Sequence, residues 1–355
     1  MKHQSDILAL KYRPKDFSDL IGQEYLVDTI QKSIQLNKIP NAYIFTGIRG
    51  VGKTTTARIV AKMLNCTAFD NSNKPDLLNC EQAKAITEDR HPDVIEIDAA
   101  SNTSVENARE IIENVKYNPV LGKYKVYIID EVHMLSKSAF NALLKTLEEP
   151  PPHSKFIFAT TEISKVPITI LSRCQRFDLR RIDKKVLSLF LETIANKENI
   201  LIEKEALNLI VKASDGSVRD ALSILDQANV FKLEETIKTE EIINMLGYSK
   251  LSDLYDLSKN ILENNLTDLI SKLETMYQRG SETSKILEDL MNIINWSCKL
   301  KINSNLIKDE FLTEDDKNFA SYVTQYDHGK LNIFWQSLIK GYDEIKISPH
   351  PHSTL

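Results

Sequence analysis

The stretch Gly47-Ile48-Arg49-Gly50-Val51-Gly52-Lys53-Thr54 decides how the first half of this chain folds. It matches G-x-x-x-x-G-K-[ST], the phosphate-binding P-loop. It also sits in the context that pattern needs, with a strand-like run before it (residues 42–46) and a helix-like run after it (residues 55–64). The glycines let backbone N–H groups curl around phosphate oxygens, and the helix N-terminus adds partial positive charge. On this reading Gly47, Gly50, Val51, Gly52 and Thr55 cradle a nucleotide such as ATP. Lys53 reaches its β- and γ-phosphates, and Thr54 holds Mg2+.

Working outward, Val126-Tyr-Ile-Ile-Asp130-Glu131 supplies the second half of such a site. Four apolar residues bury a strand, and Asp130 emerges at its end to bind Mg2+, often through water. Glu131 is placed to polarise the attacking water as general base. Val132-His133 follows and echoes a helicase signature, so a translocase has to be considered. Thr160 and Thr161 end the strand that begins at Lys155. A hydroxyl there is placed to orient water and sense the γ-phosphate, although spacing alone favours ordinary strand threonine.

Residues 94–98 and 156–159 are further short apolar runs rich in β-formers. Between the runs lie helical patterns, as at 105–117, with Val105, Ala108, Ile112 and Val115 on one face and Thr103 and Glu106 as a capping box. Strands alternating with helices predict an α/β domain with a parallel sheet. After about Arg181 the strands are expected to stop. Residues 186–195, 206–213, 218–231 and 242–246 read as short amphipathic helices punctuated by Gly216 and Gly247, and the helical pattern continues from Leu251. Nine of the eleven prolines lie between Pro14 and Pro167, and none falls between Ile168 and Ser348, which permits consecutive helices. The expected domains are 1–181 (α/β), 182–246 (small helical) and 247–355 (helical).

The chain has 355 residues, 45 Lys+Arg against 50 Asp+Glu and a net charge of −5. That balance excludes coating of nucleic acid by bulk attraction. It is uneven, however: residues 1–180 carry 24 basic and 22 acidic side chains, a net of +2, and residues 181–355 carry 21 and 28, a net of −7. The acidity belongs to the helical half. Four cysteines in so long a chain exclude a disulfide scaffold and suit a reducing, cytoplasmic compartment. No apolar run approaches 18 residues, so no membrane-spanning helix and no membrane partner is expected. Met1 to Lys15 is polar and does not read as a secretory signal.

Several motifs carry a family resemblance. Asp130-Glu-Val-His-Met-Leu-Ser136, Phe140-Asn-Ala-Leu-Leu-Lys-Thr-Leu-Glu-Glu-Pro150 and Thr169-Ile-Leu-Ser-Arg-Cys-Gln175 resemble the bacterial DNA polymerase III γ/τ subunit family. So do Tyr12-Arg-Pro14, Ile21-Gly-Gln23 and Gly216-Ser-Val-Arg-Asp-Ala-Leu222. The likeness runs from about residue 9 to 230 and continues more weakly beyond.

The resemblance implies an AAA+ ATPase, the motor of a clamp loader, with a helical lid and a helical oligomerisation collar. It implies assembly with further copies and other subunits into a hetero-pentamer that opens a sliding clamp and places it on primer–template DNA. Residue by residue, Arg173 resembles an arginine finger that reaches the neighbouring subunit's γ-phosphate. Arg219 resembles sensor 2 and Thr161 sensor 1, while Arg13, Pro14 and Ile21 resemble the residues that wall the adenine. Lys145 and Arg109 match positions aimed at DNA, although Asn102 and Ser104 stand where relatives carry basic residues.

The family's zinc site keeps only Cys66 and Cys80 of four cysteines, with Leu77 and Ala83 at the other two places, so structural zinc is not expected. Trp296 and Trp335 are expected in helix–helix contacts. The end of the chain soon after Pro349-His-Pro351 reads as that of a truncated piece or of a shortened form. Two other readings are set beside it: another AAA+ remodeller or translocase, which shares the ATPase parts but would lack Ser172-Arg-Cys174 and the run from Leu143 to Pro152, and a structural loader subunit with an idle nucleotide site.

Overall fold

Short β-rich runs separated by helices have one stable arrangement, a parallel sheet covered on both faces. The computed structural model has that architecture. It describes residues 7–68, 75–246, 251–278, 282–303 and 314–348; Gly247, Pro349 and Pro351 lie outside the described residues. The chain forms two compact units, Met1–Lys197 with Ile210–Gln227 and Glu198–Leu209 with Ala228–Leu355.

In the first unit, helices α1 (Leu8–Lys11) and α2 (Glu24–Gln35) precede strand β1 (Ala42–Thr46). Then come α3 (Lys53–Asn65), α4 (Glu81–Thr87), β2 (Val94–Asp98), α5 (Val105–Val115), β3 (Lys125–Asp130), α6 (Lys137–Glu148), β4 (Ser154–Thr160), α7 (Ile168–Leu171), β5 (Gln175–Asp178) and α8 (Lys184–Lys197). The five strands are all parallel, in the order β2-β3-β4-β1-β5.

Side chains alternate between the two faces, as a pleated strand demands. Tyr43, Phe45, Val126, Ile128 and Ile157 join the apolar cluster beneath α2, α3 and α4. Ala42, Ile44, Tyr127, Ile129, Phe156 and Phe158 join the cluster beneath α5, α6 and α7. All five residues of β1 and all seven of β4 are buried. This explains why these strands read as continuous apolar runs.

One strand of the sheet has no apolar run to mark it: Gln175-Arg-Phe-Asp178 (β5) buries only Phe177. Two sequence expectations need correction. Strands do not stop at Arg181: β6 (Leu201–Ile202) and β7 (Thr236–Ile237) pair in parallel in the second unit, and two residues each leave no periodicity to detect. Finally, α5 begins at Val105, which puts Ser104 rather than Thr103 at the capping position.

The helices α9 (Lys204–Ala213), α10 (Val218–Phe231) and α11 (Thr239–Met245) lead into α12 (Leu251–Glu263), α13 (Leu266–Gln278), α14 (Thr283–Ile302), α15 (Glu314–Val323) and α16 (His328–Ile347). In the second unit α12 to α16 share one apolar cluster, which Trp296 and Trp335 both pack against. The helix–helix placement expected for the two tryptophans is what the structure has.

One polar knot fixes the far end of the P-loop helix. The Asn65 side chain, closing α3, donates to the Tyr124 carbonyl (2.9 Å) and accepts from the Tyr124 N–H (2.8 Å). Asp93, only 1% exposed, accepts from the backbone N–H groups of Val120, Leu121 and Gly122 at 2.7 Å each. Burial pushes the Asp93 pKa up, but these three donors outweigh it and the net shift is downward from 3.8. Removing the carboxylate leaves three part-buried backbone donors without their shared acceptor, so Asp93→Ala should cost about 3 kcal/mol at pH 7 in urea unfolding. A lowered folded-state pKa places this stabilisation above the ordinary carboxylate value, to be lost as pH falls through the folded one. The gap between wild type and variant should therefore shrink below about pH 3.8. A gap of under about 1 kcal/mol at pH 7 would contradict the assignment.

Candidate functional site

The loop from Gly47 to Gly52 joins β1 to α3, as its sequence context requires. Gly50 has φ +75°, and a Cβ there would lie 2.1 Å from Ser217 Oγ and 3.3 Å from Arg219 Cβ. Glycine is thus needed both for the backbone conformation and for the close approach of the α10 N-terminus. The Arg219 N–H donates to the Gly50 carbonyl at 3.4 Å, and the Ser217 Oγ caps α10 by accepting from the Asp220 N–H at 3.2 Å. The expected neighbourhood of Arg219 and the loop is present, and Gly50 is the reason it can form.

Lys53 is 5% exposed and curls over the loop, donating to the carbonyls of Gly47 (3.1 Å) and Ile48 (3.0 Å). Burial draws its pKa down, against the opposing pull of Glu131 and Asp130. Thr54 Oγ1 donates to Asp130 Oδ2 at 2.5 Å, tying the first turn of α3 to the end of β3. These are two hard oxygen donors side by side, which suits Mg2+, an ion that keeps several waters and takes few protein ligands. Among the described residues no group of three or more His, Cys, Asp and Glu could hold a metal. The remaining ligands would be water and phosphate.

Glu131 follows with φ 45° and ψ 44°, a left-handed conformation that costs a non-glycine residue about 1–3 kcal/mol. Its Oε2 accepts from the Thr161 N–H and from Thr161 Oγ1, both at 3.1 Å. Thr161 therefore touches the proposed base directly. Thr160 is fully buried and faces His133 instead, with Oγ1 to Nδ1 at 3.0 Å.

The segment carrying Arg13, Pro14 and Ile21 also borders the loop. Arg13 Nε donates to Thr55 Oγ1 at 3.2 Å. Burial, reinforced by Arg58, lowers the Arg13 pKa, and Arg219 is among the charges acting on it. Pro14 and Ile21 are half-buried. Gln23 was singled out only as part of a motif, yet it is the clamp of this segment. Its amide donates to the Arg180 carbonyl (2.8 Å) and accepts from the Arg180 N–H (3.2 Å), across 157 residues.

Three further site residues lie elsewhere. Arg173, after α7, donates to the Thr169 carbonyl (2.6 Å) and Ser172 Oγ (3.2 Å) and pairs with Glu148. None of these partners belongs to the phosphate loop. Lys145 on α6 and Arg109 on α5 are exposed, and the two helices pack together over the same apolar cluster.

Cys66 and Cys80 are buried beside Leu77 and Ala83 in the cluster under α3 and α4. The two thiols are hydrogen-bonded partners. Burial pushes Cys66 up to about 12. At Cys80 burial acts the same way, but backbone donors led by Ala83, together with the Cys66 thiol, outweigh it and bring the pKa to about 7.

Gly50→Ala should weaken binding of a fluorescent ATP analogue at least about tenfold, because the new methyl must displace Ser217 and sit at positive φ. Unchanged affinity would show that the approach of α10 is not part of the site.

Comparison with known proteins places this geometry in a family. Residues 22–183 match the family model described as "DNA polymerase III, delta subunit", residues 188–231 the "DNA polymerase III clamp loader subunit, ATPase lid domain", and residues 237–355 "DNA polymerase III subunits gamma and tau domain III". The chain is 38% identical over 343 residues to DNA polymerase III subunit tau of Salmonella typhimurium, covering 97% of this chain and 53% of that protein. It is 40% identical to the tau subunit of Bacillus subtilis, covering 96% and 60%. The chain thus spans little more than half the length of these relatives. It is 38% identical to the gamma subunit of Buchnera aphidicola subsp. Schizaphis graminum, covering 97% and 94%. Among solved structures, the Thermotoga maritima RuvB Holliday junction branch migration motor superposes with TM-score 0.50 at 18% identity, over 74% of this chain and 85% of that one, a likeness of fold. On identity and coverage together, the chain belongs to the family of DNA polymerase III gamma and tau subunits.

Proposed function

We propose that this protein is an ATP-hydrolysing motor subunit of a bacterial clamp loader. It would work in the cytoplasm, with other loader subunits and further copies of itself in a hetero-pentamer, to place a sliding clamp on primer–template DNA. The observation that carries this reading is the joined constellation of Lys53, the Thr54–Asp130 contact at 2.5 Å and Glu131 held on Thr161. A subunit with an idle nucleotide site would have no use for Lys53, Thr54, Asp130 and Glu131 together.

In the mechanism Lys53 would turn from the loop carbonyls to the phosphates, and Thr54 and Asp130 would hold Mg2+. That ion, when bound, neutralises charge on the transferring phosphoryl group. Glu131 is fixed through Oε2, which leaves Oε1 to take a proton from the attacking water. Thr161 orients that carboxylate. Arg219 enters with the α10 N-terminus, already against Gly50, so that nucleotide draws the lid onto the loop. Arg13, Pro14 and Ile21 border the base. The gripping state prevails only as far as ATP binds it better than the open one.

Arg173 acts in trans, on nucleotide held by the next subunit; its contacts with Thr169, Ser172 and Glu148, away from its own loop, support that role. A fixed guanidinium offsets charge that grows in the transition state. Lys145 and Arg109, exposed on neighbouring helices, track the duplex with fewer charge contacts than relatives make. The domain division is 1–181, 182–246 and 247–355, with the last part as collar; the lid and domain III matches support it. The insert around Cys66 and Cys80 folds without zinc, since Leu77 and Ala83 fill the other two places with buried apolar groups.

ATPase activity measured with and without the clamp, primed DNA and the other loader subunits tests the main reading. Strong stimulation by the full set alone is expected. Duplex unwinding by the pure protein would favour a translocase instead. Arg173→Ala should keep ATP affinity within about twofold and lower stimulated turnover at least about 100-fold, the scale of arginine-finger losses; unchanged turnover would refute action in trans. Elemental analysis of the purified chain should find no zinc, and one zinc per chain would sink the metal-free insert.

A further inference from the structure

His133 follows the acidic pair by two residues and belongs to none of the roles above. Its side chain is 6% exposed. Nδ1 lies 3.0 Å from Thr160 Oγ1 and 3.4 Å from Glu131 Oε2, and Nε2 lies 3.5 Å from Glu162 Oε1. Glu131 Oε2 is therefore surrounded on one side by the Thr161 N–H, Thr161 Oγ1 and the imidazole. Glu131 Oε1 has no protein partner among the described residues. One oxygen is pinned, and the other is left without a protein hydrogen bond on a side chain 30% exposed.

The geometry points to His133 as a positioning residue for Glu131, acting through Nδ1 to hold the carboxylate so that Oε1 faces the attacking water. This deepens the proposed function and rests on its assignment of Glu131 as base. Two features favour the role over plain packing. Glu131 sits on a left-handed backbone, a conformation that persists only where surrounding contacts hold it, and the imidazole is one of those contacts. In addition, Thr160 Oγ1 accepts from the Glu162 N–H at 3.0 Å. The same hydroxyl that meets Nδ1 thus also shapes the turn carrying Thr161. His133 meets Glu131 directly and the turn carrying Thr161 through Thr160, whereas Glu162, 46% exposed and paired with Lys165, is only a peripheral neighbour of Nε2.

Three substitutions separate these contacts. His133→Phe keeps the ring volume and removes both nitrogens. His133→Asn places an amide where Nδ1 was, and His133→Gln places one where Nε2 was. In the assembled loader with clamp and primed DNA, H133F should lower kcat about tenfold or more while KM for ATP stays within about twofold, as misplacement of a reacting group predicts. H133N should recover most of the loss and H133Q should not. Wild-type kcat in H133F, equal recovery by H133Q, or a loss confined to KM would overturn the proposal. Should H133F fail to fold, the contrast between H133N and H133Q carries the same decision. Glu131→Gln in parallel keeps the two readings apart. If E131Q still turns over ATP, the base assignment fails whatever His133 does. If E131Q is inactive yet binds ATP while H133F is normal, the positioning role alone fails.

Discussion

The register of the parallel sheet is the constraint on which the site depends. Thr46 at the end of β1 pairs with Thr160 at the end of β4 and with Asp178 at the end of β5, and Asp98 on β2 pairs with Asp130 on β3. The carboxyl ends of the strands therefore fall along one edge, where ligands bind in open α/β sheets. The phosphate loop, Glu131 and Thr161 all leave the sheet there. A slip of one residue would turn Asp130 to the opposite face and send Tyr127 and Ile129 out of their cluster. The apolar layers that stabilise the sheet thus also fix the spacing of the polar groups at its edge. The Thr54–Asp130 contact closes the arrangement by tying α3 to β3 across that edge.

The same edge concentrates local costs that the sheet can carry. Glu131 holds a left-handed backbone, Lys53 is buried against its charge, and Gly50 accepts Ser217 at a distance no side chain would tolerate. Each feature is unfavourable in isolation and useful in place. A buried lysine is ready to exchange weak carbonyl contacts for phosphate. A carboxylate anchored through one oxygen keeps the other aimed. Strain of this kind persists only where the surroundings over-determine it, and here the ladder β3·β4 on one side and the Asp93–Asn65 knot on the other supply that determination.

Much of this was legible in the sequence because the signals are local. The P-loop reads from eight consecutive residues, and strands buried on both faces announce themselves as apolar runs. Asp130, Glu131 and Thr161 stand at strand ends that the runs mark. What stayed hidden depends on partners distant in the chain. Gln23 gains its role from Arg180, 157 residues away, and His133 from Thr160, 27 residues away. Gly50 is explained by Ser217, which only the fold brings near. The strand β5 escaped because an edge strand needs one buried face, and Phe177 alone provides it. The roles proposed for Arg173, Lys145 and Arg109 rest on family resemblance and not on any local pattern, because each is a surface cation in a single chain.

The central claim is that Thr54 and Asp130 act together to hold Mg2+ with ATP. Calorimetric titration of ATP with and without Mg2+, in the wild type and in Asp130→Asn, tests it most directly. The account predicts that Mg2+ tightens ATP binding in the wild type and that most of this gain disappears in the variant, while metal-free affinity stays comparable. An equal Mg2+ gain in both proteins would contradict it.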